Sequence, residues 1–130
     1  MAKPIHILLV EDDEDDRLFF VEAINDIDVS IGLDIAANGM EALLKLHKAL
    51  ELPDIIFMDV NMPVMGGFDC LRKLKSLPRY NTIPVVILTT TSSFKEQETS
   101  GMLGASLFFT KPQVYSALKQ RISQALQAFE

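Results

Sequence analysis

Four apolar stretches of this chain are each followed by side chains that could do chemistry. Glu11 and Asp12 come after the first stretch, Asp59 and Thr89 after two others, and Lys111 after a fourth. In a parallel sheet, the residues just beyond the strands line one shared crevice. Three carboxylates at ~4 Å there would repel one another by about 4 kcal/mol per pair. A hard divalent cation relieves that repulsion, and oxygen ligands without histidine or cysteine favour Mg²⁺ or Mn²⁺ over zinc.

Asp59 is the carboxylate of this group that could accept a phosphoryl group. The formal charges of Glu11, Asp12, Asp59 and Lys111 sum to −2, and a bound Mg²⁺ cancels them. Phosphorylation would take the charge of Asp59 from −1 to about −2, which such a site tolerates. The metal and Lys111 would neutralise the equatorial oxygens of the loose transition state. The hydroxyl of Thr89 would lie within hydrogen-bond reach of the new phosphate.

The segments that must position these residues alternate in type. Short apolar runs predict strands at 5–10, 33–37, 55–58, 84–88 and 107–109. Helical spacing predicts helices at 13–25, 39–50, from 66 to just before 78, 93–103 and 113–129. Leu18 is expected on the core face of the first helix and Leu50 on that of the second. The alternation predicts an α/β fold, a doubly wound parallel five-stranded sheet of (βα)5 type, with the polar second strand at an edge.

The charge of the chain is local. Lysine and arginine number 12 and acids 18, and six of the acids form the run at 11–16. Within that run, Glu14, Asp15 and Asp16 are assigned to a solvated first helical turn that suits the helix dipole. A net charge of −6 argues against nucleic acid and anionic membranes as partners.

Length and cysteine content set the remaining limits. The 130 residues predict a single domain over 1–130 with no output domain. The lone Cys70 excludes an internal disulfide and fits a reducing compartment. No stretch approaches the ~20 apolar residues of a membrane span. We therefore expect a cytoplasmic protein.

Four motifs resemble one known family. They are LLVEDD (8–13), PDIIFMDVNMPVMGG (53–67), IPVVILTTT (83–91) and GASLFFTKP (104–112). In this order they are similar to the response regulator receiver domain, the phosphoacceptor module of two-component signalling, and to its stand-alone chemotaxis-type and phytochrome-associated members. The resemblance implies a flavodoxin-like strand order, 2-1-3-4-5.

The resemblance also implies roles for the residues after the strands. Asp59 would be phosphorylated from a phosphohistidine on a histidine kinase or a histidine phosphotransfer protein. Asp12, Asp59 and the backbone carbonyl of Asn61 would hold Mg²⁺, and Glu11 would reach it through water. Lys111 would form a salt bridge with Asp59 and then with the phosphoryl group.

A switch is implied as well. Thr89 would move towards the phosphate and Phe108 would follow it, changing the face formed by helix 4, strand 5 and helix 5. That face would bind an unknown output protein or form a weak homodimer of an otherwise monomeric chain. Members of the family often have a cis peptide at the position of Lys111-Pro112, and the residues at the positions of Asn61 and Thr91 tune dephosphorylation.

Three other functions remain open at this point. A phosphatase of the haloacid dehalogenase type would need a second aspartate where Asn61 stands. A flavodoxin-like cofactor carrier would need a glycine- and hydroxyl-rich cradle where the acidic run lies. A receiver could also act as a docking scaffold without phosphorylation. We expect no enzyme activity beyond the chain's own phosphorylation and dephosphorylation.

Overall fold

The computed structural model describes residues 4–90 and 93–129. Over these residues strands and helices alternate five times, as the sequence predicts. Their bounds are β1 His6–Val10, α1 Glu14–Ile27, β2 Gly32–Ala36, α2 Gly39–Lys48, β3 Ile55–Met58, α3 Gly67–Ser76, β4 Val85–Thr89, α4 Phe94–Met102, β5 Leu107–Thr110 and α5 Tyr115–Ala128.

The five strands form one parallel sheet in the order β2-β1-β3-β4-β5. This confirms the predicted α/β class, the 2-1-3-4-5 order and the edge position of β2. Val10 pairs with Met58, and Met58 pairs with Ile87. This register brings the carboxyl ends of the three central strands to the same edge of the sheet, where the candidate residues follow.

Alternate residues of the central strands enter two apolar clusters, one on each side of the sheet. Helices α2 and α3 cover one cluster, which contains Leu46, Leu71 and Leu74. Helices α1 and α5 cover the other, which contains Ile24 and Ile122. Full burial of each such side chain stabilises the fold by roughly 1.5–3 kcal/mol. Strands buried on both faces explain why β1, β3 and β4 lack a polar alternation.

The prediction that Leu18 and Leu50 lie on the core faces of their helices is wrong. Leu18 is exposed, because α1 turns Phe20, Ala23 and Ile24 towards the sheet and a residue two positions before Phe20 falls on the far side. Leu50 is exposed as well, because α2 ends at Lys48 and the chain leaves the sheet there.

The loop after β5 contains the Lys111-Pro112 bond, whose isomer the sequence leaves open. The described residues contain no cis peptide bond, so Lys111 and Pro112 are joined in trans. Helix α5 begins at Tyr115, two residues later than predicted, with Val114 at its N-cap position in an extended conformation. Among the helices of 4–90 and 93–129, none is long and apolar enough to cross a bilayer.

Candidate functional site

The backbone fixes the residues that follow the strands. Beyond β1, the N–H of Glu11 donates to the carbonyl of Ala36 at 2.9 Å, and beyond β3 that of Asp59 donates to Val10 at 3.0 Å. The N–H of Lys111 donates to the carbonyl of Thr89 at 2.6 Å. These bonds continue the ladder of the sheet one residue past its strands, so the side chains start from a rigid frame.

Three carboxylates meet at this edge. Glu11, Asp12 and Asp59 each offer one oxygen, and the three oxygens lie within 4.8 Å of one another. Glu11 and Asp59 are buried, whereas Asp12 is exposed. The donor atoms are all hard oxygens, the set that divalent cations such as Mg²⁺ and Mn²⁺ prefer. The cluster therefore fits a divalent metal, open to solvent on the side of Asp12.

Lys111 connects this cluster to the start of α1. Its Nζ donates to Glu11 Oε1 at 2.5 Å, to Asp16 Oδ2 at 2.7 Å and to Asp59 Oδ2 at 3.2 Å. The assignment of Asp16 to a merely solvated helical turn is wrong, because its carboxylate forms an ion pair with Lys111, whose side chain is 11% exposed. The available signal was its position about one helical turn after Asp12. Glu14 and Asp15 are exposed, as predicted.

Burial and charge shift two pKa values at the site. Burial raises the pKa of Glu11 to about 7 against the opposing hydrogen bond from Lys111, and the negative charge of Asp59 adds to the rise. Burial alone would lower the pKa of Lys111, but its hydrogen bonds to Asp16 and Glu11 outweigh this and hold that pKa above its usual range. Lys111 is therefore charged at neutral pH, in a site where carboxylates outnumber cations.

Asp59 itself is held from two sides. Its Oδ1 accepts a hydrogen bond from the backbone N–H of Val60 at 2.7 Å, and its Oδ2 accepts the bond from Lys111. Behind it, α3 begins so close that a Cβ on Gly67 would lie 2.0 Å from the Asp59 carbonyl oxygen. The carboxylate thus has a fixed position at the end of β3.

Thr89 lies at the end of β4 and is fully buried. Within the described part of the chain, its Oγ1 has no hydrogen-bond partner. A buried hydroxyl without a partner is unusual and calls for an explanation. On β5, Phe108 pairs with Ile87 of β4. Its side chain is half-buried against the apolar cluster that α2 and α3 cover. Thr91 lies outside the described residues.

A cavity of about 360 Å³ adjoins Asp59. Its polar lining includes Glu11, Asp16, Thr90 and Lys111, and the rest of the lining includes apolar side chains of β1, β3, β4, α1 and α5. Thr90, the second of three consecutive threonines, was not predicted from the sequence as part of the site. The cavity leaves room for a group to approach the Asp59 carboxylate. The role of the Asn61 carbonyl as a metal ligand, which the family resemblance implies, stays a prediction.

Comparison with known sequences gives a consistent result. The family described as the response regulator receiver domain matches residues 7–123 of the chain. An uncharacterized 14.6 kDa protein in the sodA1 3′ region of Leptolyngbya boryana is 32% identical over 95% of this chain and 91% of its own length. Response regulator Rre1 of Synechocystis is 33% identical over 86% of this chain. The chain spans only 47% of Rre1, about half its length.

Solved structures show the same fold. The phosphorylated cyanobacterial phytochrome response regulator RcpA superposes with a TM-score of 0.90 at 29% identity, covering 98% of this chain and 94% of RcpA. The Mn²⁺-bound form of response regulator Rcp1 gives a TM-score of 0.84 at 28% identity, covering 97% and 94%. On its sequence, its strand order and the carboxylates at the carboxyl edge of its sheet, the chain belongs to the response regulator receiver domain family.

Proposed function

We propose that this receiver domain accepts a phosphoryl group on Asp59 from a phosphohistidine of a histidine kinase or histidine phosphotransfer protein. Receiver domains serve two-component signalling and have no catalytic output of their own. The observation that carries the proposal is the surrounding of Asp59. Its carboxylate lies within 4.8 Å of those of Glu11 and Asp12 and accepts a hydrogen bond from Lys111 at 3.2 Å.

The transfer exchanges one bond to phosphorus for another. A carboxylate oxygen of Asp59 attacks the phosphorus while the phosphorus–nitrogen bond to the donor imidazole breaks. The imidazole leaves with the electron pair and takes up a proton. Lys111 donates to the transferred oxygens, and Thr89, whose hydroxyl has no partner among the described residues, is free to donate a further hydrogen bond.

A divalent cation belongs to this proposal. Asp12, Asp59 and the backbone carbonyl of Asn61 would hold Mg²⁺ or Mn²⁺, and Glu11 would reach it through water. The cation supplies positive charge that offsets the charge of the phosphoryl group. The oxygen-only donor set of the cluster supports it, as does the Mn²⁺-bound state of the similar Rcp1.

The signal would leave through the face formed by α4, β5 and α5. Phe108 lines a groove on this face together with Phe94 and Arg121. Movement of Thr89 towards a phosphoryl group would open space for Phe108, which packs against the apolar cluster that α2 and α3 cover. The changed groove would then bind an output protein or a second copy of the chain. This shifts the population of two states rather than creating a new one.

The decisive experiment is intact-mass measurement after incubation with acetyl phosphate and Mg²⁺. The wild-type chain should gain one phosphoryl group, and EDTA should prevent the gain. Asp59→Asn should gain none, because the amide is not a nucleophile for phosphorus. Asp69→Asn is the matched control, since Asp69 is an exposed aspartate that pairs with Arg72, and it should be modified like the wild type.

Two results would contradict the proposal. Equal modification of Asp59→Asn and of the wild type would move the phosphoacceptor to another residue. A wild-type chain that gains no phosphoryl group from acetyl phosphate or from phosphohistidine donors would favour a docking scaffold that works without phosphorylation.

A further inference from the structure

Every donor of Lys111 is already in use. An ammonium group has three N–H bonds, and Lys111 Nζ lies within hydrogen-bond distance of three carboxylates. The contacts to Glu11 and Asp16 measure 2.5 and 2.7 Å, whereas the contact to Asp59 measures 3.2 Å. The weakest of the three bonds therefore goes to the residue that the proposed function makes the phosphoacceptor.

Asp16 differs from the other two acceptors. Glu11 and Asp59 belong to the carboxylate cluster that fits a metal, and Asp16 does not. Its side chain is 34% exposed, against 4% for Glu11 and 10% for Asp59. Its backbone N–H is fixed at the start of α1 by the side chain of Asp13, at 2.9 Å. Asp16 thus presents a carboxylate to Lys111 from a rigid helix end, without an evident share in holding the cation.

A phosphoryl group on Asp59 changes the demand on Lys111. It brings about one additional negative charge and oxygens that accept strong hydrogen bonds. The N–H that now points to Asp59 can turn to one of these oxygens, but Lys111 can serve a second one only by giving up Glu11 or Asp16. If it keeps its bond to Asp16, a carboxylate remains beside the phosphoryl group and repels it. If it gives that bond up, the free energy of the ion pair is lost. In both cases Asp16 disfavours the phosphorylated state.

We propose that Asp16 is a positioning residue that competes with phosphorylated Asp59 for Lys111 and so weakens the hold of the site on the phosphoryl group. The inference rests on the proposed function. On this inference, the acidic start of α1 helps to set the fraction of the protein that is phosphorylated at a given concentration of phosphoryl donor. Neutralising Asp16 should free one N–H of Lys111 and remove a like charge.

Beryllofluoride in excess Mg²⁺ tests this, because BeF₃⁻ adds to a carboxylate as a phosphoryl analogue of similar charge. Isothermal titration or ¹⁹F NMR gives its dissociation constant. Asp16→Asn should bind about fivefold more tightly than the wild type, the scale of one partly exposed ion pair. Asp16→Glu, which keeps the charge, should bind like the wild type.

Asp15→Asn is the matched control. It removes the same charge from the same helical turn, but Asp15 is exposed and has no contact with Lys111 among the described residues. Its affinity should stay within about twofold of the wild type, the size of a screened surface charge effect. A gain in affinity confined to Asp16→Asn is a result that damage to the fold does not produce. Should Asp16→Asn fold poorly by thermal melting, Asp16→Ser provides the same test.

The outcomes separate the two proposals. Equal affinities of Asp16→Asn and Asp15→Asn would overturn the competition and leave the phosphoacceptor role of Asp59 standing. Weaker binding by Asp16→Asn would show that Asp16 supports Lys111, which also overturns it. A wild-type chain that neither binds beryllofluoride nor takes up a phosphoryl group would overturn the proposed function and this inference together.

Discussion

At the scale of the residue, Gly67 shows how the absence of a side chain shapes the site. A Cβ on Gly67 would lie 2.0 Å from the carbonyl oxygen of Asp59 and 3.0 Å from Val60 Cα. Backbone atoms cannot yield as the end of a flexible side chain does. Gly67→Ala should therefore lower the free energy of unfolding by about 1–3 kcal/mol, the usual effect of overpacking. Urea unfolding measures the change.

Gly101→Ala is the internal control for that substitution. Gly101 lies in α4, and nothing comes within 4 Å of the position where its Cβ would be. Alanine favours a helix over glycine by roughly 0.5–1 kcal/mol, so this variant should be slightly more stable than the wild type. Loss of stability in both variants, or in neither, would contradict the steric argument for Gly67.

Residues of the site differed in how well the sequence predicted them. Glu11, Asp12, Asp59 and Lys111 come together because each follows a strand of one parallel sheet, and strands can be recognised locally. The contact between Asp16 and Lys111 joins residues 95 positions apart. The spacing of Asp16 about one helical turn after Asp12 is a local signal, but the contact also depends on where the start of α1 lies over the sheet edge, which local spacing does not fix.

At the scale of the element, α1 and α5 are joined by a hydrogen bond. Tyr115 at the start of α5 donates its hydroxyl to Asp26 Oδ2 in the last turn of α1, at 2.5 Å. This hydrogen bond, together with the nearby negative charge, raises the pKa of Tyr115 from 10 to about 12. The folded state thus holds the phenolic proton more tightly than the unfolded chain does.

The pH dependence follows from that direction. The stabilisation by Tyr115 is complete below pH 10 and is lost as the pH rises towards 12, because the unfolded chain releases the proton first. The difference in unfolding free energy between the wild type and Tyr115→Phe should therefore shrink over this interval. Asp26→Asn should flatten the same dependence, since it removes the charged acceptor. A difference that is constant over this interval would show that the bond is not formed in solution.

Helix faces were harder to predict than the helices themselves. Alternation of apolar and polar segments was enough to find the helices and strands. In α1, however, both Leu18 with Val21 and Phe20 with Ala23 and Ile24 have helical spacing. Which set is buried depends on how the helix lies against β1 and α5, and only the assembled fold decides it.

At the scale of the whole molecule, the net charge of −6 is concentrated at one edge of the sheet. Outside residues 11–16 the acids and bases balance. Crowded carboxylates destabilise the folded chain more than the unfolded chain, in which the same groups lie farther apart. The charge that suits the edge to a divalent cation therefore lowers the stability of the metal-free protein.

Metal should accordingly stabilise the fold by mass action. Mg²⁺ at about 100 times its dissociation constant should raise the free energy of unfolding by roughly 2.7 kcal/mol, because the unfolded chain offers no assembled site. Thermal melting with and without Mg²⁺ measures this. Asp12→Ala should lose the response and melt no lower than the metal-free wild type, since one repelling carboxylate is gone. Asp15→Ala removes an exposed acid outside the cluster and should keep the response. A full response in Asp12→Ala would mean that the cation stabilises the chain without Asp12, by screening or through other ligands.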